Sequence, residues 1–131
     1  DVISFAGDAI VAVWAINRDL PLSCALAASC AVQLQKDCGL HKIKDRPDLA
    51  FRIHIGLVCG TLESEILYVS QAKNMQTAFH YVSGAPLREV AACINTAKPG
   101  EICLTEAVRD MLGGIVTVVP TGTGGVYGLQ A

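Results

Sequence analysis

Asp1–Trp14 reads DVISFAGDAIVAVW, two apolar runs on either side of a short break. Val2–Phe5 and Ala9–Trp14 carry β-branched and aromatic residues, and Ala6-Gly7-Asp8 between them is a hairpin signal. Gly7 can take positive φ without a Cβ penalty, and an Asp in such a turn either bonds its own backbone or points outward. Asp8 is therefore a turn former or a free carboxylate at a hairpin tip.

Outward from the hairpin, Asn17–Pro21 is a polar connection. Leu22–Lys36 then places Ala25, Leu26, Ala28, Ser29, Val32 and Gln33 at helical spacing, with Gly39 as a stop signal. The small residues of this helix suit close approach to a sheet. Leu40–Leu49, basic then acidic with Pro47 inside it, reads as a solvated loop. Phe51–Gly60, FRIHIGLVCG, alternates apolar and polar residues like a half-buried strand, with His54 on its polar side. Leu62–Val69 continues as strand or hairpin, Ser70–Thr77 is a polar loop, and Phe79–Ser83 is a short strand ended by Gly84. Ala85–Ala97 has Leu87, Val90, Ala91 and Ile94 on one face and Pro86 in its first turn, which predicts a helix. Lys98-Pro99-Gly100 is a turn, Glu101–Leu104 a strand, and Thr105 the cap of a short helix. Two terminal strands, Ile115–Val119 and Val126–Leu129, are joined by TGTGG. That linker is no phosphate loop, because no Lys-Ser or Lys-Thr pair follows it. The resulting order, β, β, α, β, β, β, α, β, α, β, β, predicts an α+β fold with a mostly antiparallel sheet and helices packed on it.

The 131 residues suffice for one domain with a real core. At 52% hydrophobic and 17% charged, the chain is more apolar than an average soluble domain, so part of its surface is expected to meet a partner. Leu20–Leu34 is the longest uncharged apolar run and is too short for a membrane span. The six cysteines form no CxxC pair and have no His at zinc-ligand spacing, so they read as reduced, mostly buried thiols of a cytoplasmic protein. A net charge of −2 without a basic cluster argues against nucleic acid as a partner. The chain opens inside a strand, which suggests a partial domain spanning 1–131 whose first strand and helix precede Asp1.

FAGDAIVAVW resembles the metal-binding hairpin of class III nucleotide cyclases, most nearly the first catalytic half of the soluble, bicarbonate-responsive adenylyl cyclases. GEICLTEAVRDML is similar to the strand and helix near the end of such domains. The resemblance runs through nearly the whole chain and is best at Asp1–Trp14, Phe51–Gly60 and Tyr81–Leu104. It implies a ferredoxin-like cyclase fold and an intracellular signalling lyase that converts ATP to cyclic AMP and pyrophosphate. It makes Asp8 a catalytic metal ligand for two Mg²⁺ ions, with Mn²⁺ as a substitute, and puts Phe5, Ala6 and Gly7 beside the substrate. His54 is a phosphate-contact candidate on the same basis, although a lone strand His is more often structural. Cyclisation needs an activated 3′-hydroxyl, an in-line α-phosphate and neutralised pyrophosphate charge, all of which two divalent ions supply. The second metal carboxylate is expected before Asp1.

Cyclases of this class work as paired halves with the site at the seam. The complementary half's adenine-reading Lys falls at Ser4, its base-reading Asp at Tyr81, its ribose-orienting Asn at Arg88 and its transition-state Arg at Ala92. None matches, so the resemblance implies the metal-carrying half of a pseudo-heterodimer, inert alone and completed by a second cyclase half. Arg88 reads as a solvated cation. The alternative is a catalytically degenerate cyclase-fold domain serving dimerisation or nucleotide sensing.

Overall fold

The computed structural model describes residues 1–15, 19–71 and 75–130. The chain opens with β1 (Val2–Ala6) and β2 (Ala9–Ala12), followed by α1 (Leu20–Cys38). Next come β3 (Leu40–Ile43), β4 (Arg46–Arg52), β5 (Ile55–Leu57), β6 (Glu63–Gln71) and β7 (Met75–Ser83). The remainder is α2 (Ala85–Thr96), β8 (Ile102–Thr105), α3 (Glu106–Leu112), a 3₁₀ turn (Gly113–Ile115), β9 (Thr117–Pro120) and β10 (Val126–Gln130). The fold is α+β, with mostly antiparallel pairing.

Among the described residues the strands form four sheets. β1–β2, β3–β4 and β6–β7 are each two-stranded hairpins, and β5-β8-β10-β9 is the central sheet. Only its β5–β8 pair is parallel, with Ile55 opposite Ile102 and Leu57 opposite Leu104.

Side chains alternate across β8 and divide the core between two faces. Leu104 packs with Cys24 and Ala28 of α1 and with Val108 and Leu112 of α3. Cys103 joins Cys93 and Ala97 from α2 and Val126 of β10. The central sheet is thus covered by α1 and α3 on one side and α2 on the other. Small residues set the spacing: Ala28 and Ala31 are buried on α1, and a Cβ at Gly56 would lie 3.1 Å from Cys93 Cβ and 3.2 Å from Val90 Cγ2. Close helix–sheet approach at that point leaves little room for a side chain.

Several sequence expectations need correction. The helix begins at Leu20 rather than Leu22, because Asp19 accepts a hydrogen bond from the Leu22 amide at 2.9 Å and Pro21 fits the first turn. Residues 17 and 18 of the expected connection Asn17–Pro21 lie outside the described residues. Leu40–Leu49 is no loop but most of the hairpin β3–β4. Pro47 is tolerated there because the register jumps from Lys42↔Ala50 to Ile43↔Arg46, so Pro47 falls in the skipped segment, where no ladder amide is needed. The solvated character does hold, since every β4 residue is exposed.

Phe51–Gly60 is not one strand. The backbone of Ile53 is diverted to other partners: its N–H donates to Gly39 O at 3.3 Å, and its carbonyl accepts from Gly100 N at 2.8 Å. β4 ends before this point and β5 starts after it. The expected loop Ser70–Thr77 is largely strand, with Ser70 opposite Gln76 and Gln71 opposite Met75; residues 72–74 lie outside the described residues. Thr105 occupies the N-cap position of α3 without making a cap bond; instead the Glu106 amide donates to Gly125 O at 3.2 Å.

Candidate functional site

The β1–β2 hairpin closes around Gly7-Asp8, with Ala6 opposite Ala9 and Phe5 opposite Ile10. Gly7 takes φ +62°, a left-handed conformation that favours glycine. The far end is tied by reciprocal bonds: the Asp1 amino group donates to Val13 O and the Val13 amide donates to Asp1 O, both at 2.8 Å. Phe5 and Ile10, paired across the strands, are 74% and 63% exposed, and Asp8 is exposed at the tip. Phe5, Ala6, Gly7 and Asp8 are therefore grouped at one end of one hairpin.

His54 belongs to a different unit. It is exposed between β4 and β5, and the principal contacts of β5 run to β8, α2 and α1. Its neighbours are tightly held. Gln35 Nε2, at the end of α1, donates to Ile53 O at 3.0 Å and reaches Glu101 O at 3.4 Å, and the Ile55 amide donates to Glu101 O at 3.0 Å. Gly39 lets the chain leave α1 here, since a Cβ at that position would collide with the backbone carbonyl of Gln35. Nothing local in the sequence marked Gln35, because its partners lie far along the chain.

Hard divalent cations take carboxylate and carbonyl oxygens, and Asp8 with the backbone of its turn supplies donors of that kind. No group of three or more His, Cys, Asp or Glu side chains converges among the described residues. Asp8 is a single exposed carboxylate, one oxygen donor of the kind such an ion takes.

A second feature is a depression of about 300 Å³ lined by Glu89 of α2, Thr105, Glu106 and the Gly124-Gly125 turn. The Thr105 hydroxyl is buried and without a hydrogen-bond partner. Nearby, Arg109 pairs with Glu106 at 2.8 Å and Asp110 at 2.7 Å and lies 4.5 Å over the Tyr127 ring. Its hydrogen bond to Asp110 raises its pKa further. Arg109 is committed to these partners. Arg88 is an exposed side chain of α2, in keeping with a solvated cation, and Ser4, Tyr81 and Ala92 are also exposed. No helix among the described residues is long and apolar enough to cross a membrane.

No protein-family model, no curated protein and no solved structure matches this chain.

Proposed function

We propose that this chain is the metal-carrying half of an adenylyl cyclase, forming cyclic AMP and pyrophosphate from ATP at a seam with a second cyclase half. The reading includes the ferredoxin-like cyclase fold, two Mg²⁺ ions and a cytoplasmic setting. The observation that carries it is the exposed Asp8 carboxylate at the tip of a hairpin whose Gly7 takes φ +62°, in a string that resembles the cyclase metal-binding hairpin. Bound divalent ions would activate the ribose hydroxyl and neutralise charge on the phosphates. In this chain Asp8 holds one position of that metal set, and Phe5, Ala6 and Gly7 form the wall beside the triphosphate. His54 stands apart from the tip and is the weakest member of the set.

The second reading, a degenerate cyclase-fold domain for dimerisation or nucleotide sensing, is favoured by the solitary position of Asp8. The two separate in one assay of cyclic AMP formation from ATP and Mg²⁺, with the chain alone and with a complementary half carrying the base-reading and transition-state residues. The chain alone is expected to be inert and the pair active, with Asp8→Asn lowering turnover of the pair at least about tenfold, 1.36 kcal/mol or more in barrier. An inactive pair that still binds ATP would establish the sensing role.

A further inference from the structure

Across the β6–β7 hairpin the Ser64 hydroxyl and the His80 ring meet, with Ser64 Oγ 2.6 Å from His80 Nε2. Strand pairing brings them together. Ser64 stands opposite Val82 and His80 opposite Ile66, so the two are diagonal neighbours on one face of the hairpin. Alternation along the strands sends Glu63, Glu65 and Tyr81 to the other face, and leaves Tyr68 as the other titratable side chain on this one among the described residues. Ser64 and His80 are both exposed, and among the described residues no other element makes more than slight contact with β6 or β7. Ile66 and Tyr68, 57% and 66% exposed, form an apolar ledge beside the pair. The pair belongs to a different hairpin from Asp8.

A serine hydroxyl within hydrogen-bond reach of an imidazole nitrogen is the arrangement that activates a weak nucleophile. With the ring proton on Nδ1, Nε2 is an acceptor and the Ser64 O–H donates to it. We propose that Ser64 is an acylation site with His80 as its general base, taking acyl groups from short, activated aryl esters whose ring rests on Ile66 and Tyr68. Ser64 Oγ attacks the ester carbonyl carbon while Nε2 takes the hydroxyl proton. The bond from that carbon to the aryl oxygen breaks, the phenolate leaves with the electron pair, and the acyl group stays on Oγ. The imidazolium then returns its proton to water. Because the phenolate of an electron-poor ring leaves unprotonated, no third side chain has to donate a proton to it.

The test exposes the folded 131-residue chain to p-nitrophenyl acetate and follows acetyl incorporation over time by peptide mapping. Ser4, exposed on β1 opposite Val11, is the internal reference. Ser64 should acquire acetyl faster than Ser4 by about a hundredfold, the lower end of what a positioned base contributes. That excess should vanish in denaturant, where the strands part, on acidification, which fills Nε2 with a proton, and in His80→Gln. Equal acetylation of Ser64 and Ser4 in the folded chain, or an excess that persists in denaturant or in His80→Gln, would overturn the proposal. The unsubstituted chain, folded and in denaturant, gives that answer even if the variant misfolds.

Discussion

Gln35 does at residue scale what local sequence signals cannot advertise. One amide on the last turns of α1 bridges to Ile53 O at 3.0 Å and Glu101 O at 3.4 Å, joining a helix end, a strand break and a turn. Gln35→Ala should cost about 0.5–1.5 kcal/mol, because it removes a link between distant segments while Ile53 O keeps its bond from the Gly100 amide and Glu101 O its bond from the Ile55 amide. Gln33→Ala is the control. Gln33 meets only Asp37, four residues on along the same helix, and a pair of that kind is worth about 0.2–0.5 kcal/mol. Equal denaturant midpoints for the two variants would show that the Gln35 bridge carries no stability. Asp8 is the opposite case. Its residue type and turn setting were readable at once, since Gly-Asp between two β-branched runs has few other conformations. What spacing could not decide was turn former against ligand, and exposure at the tip leaves the carboxylate free for a ligand.

Elements were legible where a pattern agreed with its punctuation. α2 follows Gly84, carries Pro86 in its first turn and runs from Ala85 to Thr96, one residue short of the expected Ala97, and β8 with α3 follows the Lys98-Pro99-Gly100 turn. They were illegible where pairing alone makes the strand. β3–β4 is exposed along β4 and contains Pro47, so neither burial periodicity nor propensity signalled it; a register jump accommodates the proline. The β4–β5 break is tertiary in origin, arising from bonds of Ile53 to Gly39 and Gly100. Thr105 shows a cap signal misread at finer grain. It stands at the right position with its hydroxyl buried and unpaired. Replacing a buried, unpaired hydroxyl by a methyl removes a desolvation penalty, so Thr105→Val should be neutral to stabilising by about 1 kcal/mol. A clear loss of stability on thermal unfolding would mean that the hydroxyl has a partner in solution.

At the scale of the whole molecule, sheet order was beyond the sequence, because parallel pairing of β5 with β8 depends on which hairpins stay apart. Large apolar residues stand exposed on those hairpins, among them Phe5, Ile66, Tyr68 and Phe79. The buried thiols confer a pH dependence on the remainder. Burial lifts both Cys24 and Cys93 from the ordinary 9.0 to about 11, so between those values the folded chain retains protons that the unfolded chain has released. Their contribution is fully present below the unfolded pKa and is lost as pH rises through the folded one. The urea midpoint, measured under reducing conditions, should therefore fall steadily across that window; a flat profile would show that these thiols titrate alike in both states. A further prediction concerns small anions and rests on the cyclase reading. In the bicarbonate-responsive cyclases that the opening string resembles, the anion sits near the active site between a Lys on the first hairpin strand and an Arg on the helix after the glycine. On that resemblance the positions fall at Ser4 on β1 and Ala91 on α2, both exposed. An anion drawn from water needs charge-assisted donors to offset its desolvation, and a hydroxyl with a methyl does not replace two cations. Bicarbonate should therefore activate the chain paired with a complementary half weakly or not at all. Cyclic AMP production would be followed at fixed pH and ionic strength while bicarbonate replaces chloride across the millimolar range. A several-fold, saturable rise would mean either that Ser4 and Ala91 are not the corresponding positions or that the second half brings its own pair of cations to the seam.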